Sequence, residues 1–156
     1  MKTLVIEPTN RCNRSCRHCF RNKADPPGFL PLETADTALS QAEALGFKVV
    51  CLTGGEVALY PQLGELLRLI AARRFYFTLV TNGYRFPEYV LPLLLEPKVK
   101  ERLASVSFSL DGARAETHDG LRGPKSFREV IEGTTLCRNH RLPFSLKSTI
   151  TTSPFL

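Results

Sequence analysis

Five short apolar segments recur along the chain at fairly even spacing, and they constrain its fold more than any other feature. They are rich in Val, Phe, Ile and Thr, which is typical of strands buried on both faces of a sheet. We therefore predict five β-strands. Their segments are TLVIE (3–7), KVVCLT (48–53), FYFTLVT (75–81), ASVSFSL (104–110) and PFSLKSTIT (143–151).

Helix-like segments separate these strands. Residues 32–46 carry an apolar stripe at helical spacing that ends at Gly46, a common residue after a helix. Residues 61–74 begin with Pro61, which suits the first turn of a helix. Residues 87–103 contain two prolines in their interior, so we expect two short helical pieces there.

The last helix-like segment, residues 126–140, begins with Ser126 and has Glu129 three residues later, which is the spacing of a capping box. Strand and helix thus alternate along the whole chain, which indicates parallel strands joined by right-handed crossovers. No low-complexity tract or linker divides the sequence. Residues 1–156 are therefore predicted to form one α/β domain.

Composition bounds the classes of function. The chain of 156 residues can bury a core, and it has no run of 18 or more apolar residues that could span a membrane. Its start, MKTLVIEPTN, turns polar too soon for a signal peptide, so we expect a cytoplasmic protein. Because thiols stay reduced in that compartment, closely spaced cysteines indicate metal binding or catalysis rather than disulfides.

Three of the five cysteines lie within the stretch CNRSCRHC, directly after the first predicted strand. Cys12, Cys16 and Cys19 are four and then three residues apart. A loop of that length can wrap three sulfur atoms around one face of a small inorganic group. The spacing therefore indicates a metal site, and two chemistries compete for it.

Zinc prefers four ligands in a tetrahedron. The nearby His18 is adjacent to Cys19, and neighbouring residues rarely reach one metal together. The two remaining cysteines, Cys51 and Cys137, lie inside a predicted strand and a predicted helix, so no second pair is offered. An iron–sulfur cluster held by three thiolates, with one iron left open for a chelating ligand, fits the spacing better, and zinc remains the alternative.

Small polar residues and glycine follow three of the predicted strands. The segments are Thr53-Gly54-Gly55-Glu56, Thr81-Asn82-Gly83 and Ser109-Leu110-Asp111-Gly112. Each taken alone is ordinary turn chemistry. Together they lie at the carboxyl ends of parallel strands, where α/β folds bind ligands, and glycine there permits close approach to the backbone.

The net charge of +6 is concentrated around the cysteines. The basic residues there are Arg11, Arg14, Arg17, Arg21 and Lys23. They form either a solvated basic loop or a surface that offsets an anionic centre or receives an acidic partner. The aromatic residues do not interleave with them as a stacking platform requires, which argues against a nucleic-acid partner.

These motifs together resemble the radical S-adenosylmethionine (radical SAM) superfamily, whose signature is CxxxCxxC after the first strand. By that resemblance, Cys12, Cys16 and Cys19 would ligate a [4Fe-4S] cluster, and the amino and carboxylate groups of S-adenosylmethionine would chelate the fourth iron. Residues 54–56 would meet the methionine amino group. The resemblance implies cofactor contacts from His18, Gly54, Gly55, Glu56, Asn82, Ser109, Asp111 and Lys147.

Individual roles also come from the resemblance. His18 would lie near the adenine, and Ser109 and Asp111 would lie near the ribose and the methionine carboxylate. Lys147 on the fifth strand would either face the adenosine or pack outward, since side chains alternate along a strand. His118 and Asp119 are interpreted as loop and helix-start residues rather than catalytic ones.

The segment HDGLRGPKSFREVIEG (118–133) resembles the branch of that superfamily that matures peptides and proteins. The implied activity is reductive cleavage of S-adenosylmethionine to a 5′-deoxyadenosyl radical, which abstracts hydrogen from a peptide or small-molecule substrate. Reduced flavodoxin or ferredoxin would donate the electron at a surface formed by Arg14, Arg17 and Arg21. The alternatives are a non-catalytic module that binds zinc or a cluster, and an inactive truncated relic.

The sequence departs from the family pattern in two places. Val57 stands where the family usually has proline, which changes the stiffness of the turn. The family core is a partial barrel of six β/α units with helices outside, whereas five strands are predicted here. We therefore expect an incomplete partial barrel whose last strand is an open edge, as in a fragment, a chain completed by a partner, or a decayed copy.

Overall fold

A computed structural model describes residues 2–21 and 26–150. Its strands form one sheet in the order β1-β2-β3-β4-β5, and every neighbouring pair is parallel. Since spatial order follows chain order, each crossover advances the sheet by one strand, which is the topology of a partial (β/α) barrel. The strands are β1 (Thr3–Ile6), β2 (Val49–Leu52), β3 (Tyr76–Thr81), β4 (Leu103–Ser109) and β5 (Phe144–Lys147). The predicted fold class is confirmed.

Helices follow each of the first four strands. They are α1 (Leu32–Ala44), α2 (Leu63–Ala72), α3 (Leu91–Leu94), α4 (Pro97–Lys100), α5 (Ala115–Arg122) and α6 (Ser126–Asn139), with a 3₁₀ turn at Val57–Leu59 and a π turn at Phe86–Val90. The two short pieces predicted between β3 and β4 are α3 and α4. The prediction for Pro61 is wrong, because it lies in a turn and α2 begins two residues later. Among the described residues, no helix combines the length and the apolar character needed to cross a membrane.

The capping box predicted for α6 is also wrong. The Glu129 side chain does not bind the backbone at the start of α6, because its carboxylate pairs with Arg14. Arg14 lies in the loop after β1 that carries Cys12, Cys16 and Cys19, which we call the cysteine loop. The cap comes instead from Asp119 on α5. One of its carboxylate oxygens accepts hydrogen bonds from the Ser126 hydroxyl at 2.9 Å and the Phe127 N–H at 2.8 Å. The start of α6 is thus fixed by the preceding helix.

The core lies between the sheet and the helices, on one face of the sheet only. Buried strand residues on that face include Val50, Leu52, Phe77, Leu79, Val106 and Phe108. The opposite, concave face is half-exposed and mixes apolar side chains such as Val5 and Val80 with the serines of β4 and β5, so the expectation of strands buried on both faces is wrong. On β5, Phe144 and Leu146 continue the apolar face yet stay 40% and 53% exposed, and among residues 2–21 and 26–150 this strand is the expected open edge.

Candidate functional site

The cysteine loop connects β1 to a short returning segment that fixes its base. The Leu30 N–H donates to the Pro8 carbonyl at 2.8 Å, and Thr9 and Phe29 form an isolated antiparallel bridge. The Thr9 hydroxyl also donates to the Gly28 carbonyl at 2.8 Å. Residues 8–11 and 28–30 therefore lie side by side at the carboxyl edge of the sheet, and we call this hydrogen-bonded pair of segments the neck of the loop.

The two glycines after β2 pack directly against that neck. The Gly55 N–H donates to the Thr9 carbonyl at 2.9 Å, and the Glu56 N–H donates to the Arg11 carbonyl at 2.7 Å. A Cβ atom on Gly55 would lie 1.9 Å from the Arg11 oxygen, and Gly54 has φ +113°. Glycine is required here so that two backbones can meet just before Cys12. Contact of these glycines with a ligand stays a prediction.

Glu56 joins the ends of β2 and β3 from within the core. Its side chain is buried, and its carboxylate accepts hydrogen bonds from the Thr81 hydroxyl at 2.8 Å, the Asn82 N–H at 2.7 Å and the Ala58 N–H at 3.1 Å. Burial raises the pKa of Glu56 to about 7 despite these donors. Three protein groups thus bind the carboxylate, and its contact with the methionine amino group stays a prediction.

Asn82 follows β3 and reaches the cysteine loop. Its side-chain Nδ2 lies 3.7 Å from the Cys12 sulfur and 2.9 Å from the Asn13 Oδ1 atom. The residue is buried, with 7% of its surface exposed. The structure thus places Asn82 beside a predicted cluster ligand, whereas the sequence reasoning expected a contact with S-adenosylmethionine.

The three cysteines of the loop differ in environment. Cys12 is half-buried, Cys16 is buried with its sulfur 3.9 Å from the Arg122 carbonyl, and Cys19 is exposed. Burial raises the pKa of the Cys12 thiol, and a metal that takes thiolate ligands would displace that proton.

In the described parts of the chain, no three or more His, Cys, Asp or Glu side chains gather closely enough to hold one metal ion. The sulfur ligands of a single zinc ion would lie within about 4 Å of one another. The ligands of an iron–sulfur cluster bind different irons and stand further apart. Ligation of a cluster or of zinc by Cys12, Cys16 and Cys19 stays a prediction.

Some buried side-chain nitrogen atoms on the same loop lack hydrogen-bond partners in the described part of the chain. Within residues 2–21 and 26–150, the Arg14 Nε, His18 Nδ1 and Arg21 Nε atoms have no hydrogen-bond partner. Buried polar groups of native proteins are rarely left unpaired. The two unpaired arginine N–H groups lie on the loop that carries the three thiols, a setting that fits an anionic group such as an iron–sulfur cluster with thiolate ligands.

Arg14 is not part of an exposed basic surface, which corrects one expectation. Its side chain is 8% exposed, donates to the Pro124 carbonyl at 3.0 Å and pairs with Glu129. The backbone N–H of Arg17 likewise donates to the Leu121 carbonyl at 3.0 Å. These contacts fasten the cysteine loop to α5, to α6 and to the turn between them.

Asp111 connects the end of β4 to the same loop. Its fully buried carboxylate pairs with Arg122 and lies 3.2 Å from the His18 Nε2 atom. Burial would raise the pKa of Asp111, but hydrogen bonds from Arg122 and from the Thr149 N–H hold it below its ordinary value. The two residues predicted to meet opposite ends of S-adenosylmethionine are thus direct neighbours, and their contact with the cofactor stays a prediction.

His118 is a structural residue that sequence reasoning underrated. It lies buried in the middle of α5, and its Nδ1 atom accepts a hydrogen bond from the Asp111 N–H at 3.0 Å. Burial lowers the pKa of His118, so the ring stays neutral and can accept that bond. The sequence around His118 is mostly polar, so it did not predict that this side chain is buried.

Ser109 and Lys147 are register partners on β4 and β5. They share the concave face with Ser107 and Ser145, whose hydroxyl oxygens lie 2.9 Å apart. The structure therefore turns Lys147 toward the concave face and not toward the helices. Contact of either residue with adenosine stays a prediction.

Comparison with known proteins identifies relatives over nearly the whole chain. The sequence profile of the Radical SAM superfamily matches residues 6–155. The AdoMet-dependent heme synthase of Methanosarcina barkeri (strain Fusaro / DSM 804) is 31% identical over 157 residues, covering 96% of this chain and 42% of that protein. The mycofactocin maturase MftC of Mycobacterium ulcerans (strain Agy99) is 32% identical over 134 residues, covering 82% and 34%.

Solved structures agree on the fold. Streptococcus suis SuiB bound to the precursor peptide SuiA superposes with a TM-score of 0.84 at 21% identity, and covers 97% of this chain and 33% of SuiB. SuiB bound to S-adenosylmethionine gives a TM-score of 0.81 at 21% identity. This chain therefore spans less than half the length of each of these relatives.

Proposed function

Because this chain belongs to the radical SAM superfamily, we propose that it is the core of an enzyme that cleaves S-adenosylmethionine reductively. In this proposal Cys12, Cys16 and Cys19 hold a [4Fe-4S] cluster through their thiolates. The cofactors, when bound, would supply the radical chemistry: one electron from the cluster would break the C5′–S bond of S-adenosylmethionine, giving methionine and a 5′-deoxyadenosyl radical that would take a hydrogen atom from the substrate. The protein supplies position, charge and exclusion of water.

One observation carries the proposal: the cysteine loop is fastened separately to the ends of three parallel strands. Gly55 and Glu56 bind its neck after β2, and Asn82 binds its first cysteine after β3. Asp111 binds its His18 after β4. A loop with only a structural role needs no such contacts at the one edge of the sheet where α/β folds place ligands.

Groups at the same edge support a proposed orientation of the cofactor. The half-exposed concave face carries hydroxyl groups and Lys147, which offer hydrogen bonds and one positive charge to a polar ligand. The buried guanidinium groups of Arg14 and Arg21 would offset the negative charge of thiolates and sulfides. These groups would position S-adenosylmethionine above the sheet without being consumed.

A peptide or protein is the substrate class that we propose. MftC is named a maturase, and SuiB was crystallised with a precursor peptide. A small molecule is the second candidate, since the heme synthase of M. barkeri is similarly related over 96% of this chain. Reduced flavodoxin or ferredoxin is the proposed electron donor, and exposed Arg11 and Arg17 support an acidic partner, whereas Arg14 is buried.

The test is anaerobic reconstitution with iron and sulfide, followed by S-adenosylmethionine and dithionite, with 5′-deoxyadenosine measured by mass spectrometry. We expect 5′-deoxyadenosine from wild type and from the control Cys51→Ala, and none from Cys16→Ala. A wild-type protein that holds a cluster but forms no 5′-deoxyadenosine would refute the enzymatic proposal for this chain. Stoichiometric zinc in stable, aerobically purified protein would support the non-catalytic module instead.

A further inference from the structure

The side chain of Asn82 is held in one orientation by contacts that do not involve the cysteine loop. Its Oδ1 atom accepts a hydrogen bond from the Tyr84 N–H at 3.0 Å. A backbone N–H can only donate, so the oxygen of the amide must face Tyr84 and the nitrogen must face the loop. The orientation of an amide is otherwise ambiguous, and here a neighbour settles it.

The backbone of Asn82 is equally constrained. Its N–H donates to the Glu56 carboxylate at 2.7 Å, and the other oxygen of that carboxylate binds Thr81 and the Ala58 N–H. Asn82 is therefore anchored to the buried end of β2. Its Nδ2 atom carries two hydrogens, one for the Asn13 Oδ1 atom at 2.9 Å and one for the Cys12 sulfur at 3.7 Å.

We propose that Asn82 is a positioning residue for the cluster, which holds the Cys12 sulfur by an N–H···S hydrogen bond and thereby raises the cluster's reduction potential. The inference rests on the proposed cluster ligands. Hydrogen bonds to ligand sulfurs are one of the terms that set cluster potentials. Reduction adds negative charge that the sulfurs share, so a donor stabilises the reduced state more than the oxidised one.

This role differs from the contact with S-adenosylmethionine that the sequence predicts for Asn82. Both polar atoms of the side chain and the backbone N–H already have protein partners. A buried group with that many partners gains little by turning to a ligand, because it would leave Tyr84 or Cys12 unsatisfied. The amide serves the cysteine loop.

Potentiometric titration of the reconstituted cluster, followed by electron paramagnetic resonance, tests the role. Asn82→Leu removes the donor without adding charge, and Asn82→Asp keeps an acceptor for the Tyr84 N–H but places a carboxylate beside the sulfur. Both potentials should be more negative than that of wild type, with Asn82→Asp the lower. Asn139→Leu, an exposed asparagine at the far end of α6, is the matched control and should match wild type.

The outcomes separate this inference from the proposed function. If wild type assembles no cluster, the proposed function fails. If wild type and both Asn82 variants hold clusters of equal potential, the inference fails while the proposed function stands. If both variants keep the wild-type urea midpoint but take up no iron, the amide is needed to place Cys12, which supports the positioning role. If both lose iron because the fold itself collapses, the role is purely structural and the inference is overturned.

Discussion

Replacing Gly55 by alanine should separate the β2 turn from the cysteine loop. The added Cβ atom would lie 1.9 Å from the Arg11 carbonyl oxygen and 2.5 Å from its carbon, and both are backbone atoms that cannot rotate away. The turn would have to withdraw by roughly 1.5 Å to reach a normal contact distance. The hydrogen bonds to Thr9 and Arg11, now 2.9 and 2.7 Å long, would then exceed bonding distance.

The cost follows from these losses. Each backbone hydrogen bond contributes about 1 kcal/mol, and overpacking a close contact costs a further 1–3 kcal/mol, roughly. We therefore expect Gly55→Ala to lower the free energy of unfolding by about 3–5 kcal/mol, a large part of the total for a domain of this size. The assay is urea denaturation followed by circular dichroism, with the slope compared as well as the midpoint.

Gly120→Ala is the matched control. Gly120 lies within α5, and apart from its chain neighbours and the backbone of its own helix no heavy atom of the described residues lies within 4 Å of the position that an added methyl group would take. Alanine there should be neutral or should stabilise by up to about 1 kcal/mol, through helix propensity. The reasoning is refuted if Gly55→Ala unfolds within about 1 kcal/mol of wild type, or if the control is destabilised equally.

Three further predictions concern charge and thiol chemistry. Since burial raises the pKa of Glu56 from 4.5 to about 7, its stabilising contribution is complete below pH 4.5 and is lost as the pH rises through 7. Between pH 4 and pH 8, the free energy of unfolding of wild type should therefore fall by about 3 kcal/mol relative to that of Glu56→Gln, as measured by urea denaturation. A difference between the two proteins that stays constant with pH would contradict the burial of this group. Glu129→Leu should cost about 2–3 kcal/mol and Arg14→Leu about 1 kcal/mol, because Arg14 is 8% exposed and Glu129 is 31% exposed, so the arginine is left the more deeply buried; equal costs in denaturation would argue against this asymmetry. In native apo-protein, iodoacetamide should modify exposed Cys19 first and Cys137 last, because burial raises the pKa of Cys137 to about 11. Peptide mass mapping measures this order, and modification of Cys137 before Cys19 would contradict the prediction.

The strands and α1 were predictable because local sequence determines them. Short apolar segments rich in Val, Phe, Ile and Thr mark the strands, and the stripe of residues 32–46 ends near the observed end of α1. The cysteine spacing likewise locates the site, since those residues lie within one loop. What the sequence encodes over short separations could therefore be predicted.

The contacts that fasten the loop could not be predicted, since they join residues far apart in the chain. Arg14 meets Glu129 across 115 positions, and Asn82 meets Cys12 across 70. A capping-box pattern at Glu129 looks identical whether or not a distant arginine competes for the carboxylate. The glycines after β2 were expected to admit a ligand, whereas their closest neighbours are backbone atoms of the loop.

Iron and acid-labile sulfide per chain, measured after anaerobic reconstitution, test the central claim most directly. We predict about four iron atoms and about four sulfides per chain in wild type. Alanine variants of Cys12, Cys16 and Cys19 should lose the cluster. Alanine variants of Cys51 and Cys137 should retain it, because these residues lie on β2 and within α6, away from the loop. A cluster that survives the loss of Cys16, or one that requires Cys51, would contradict the assignment.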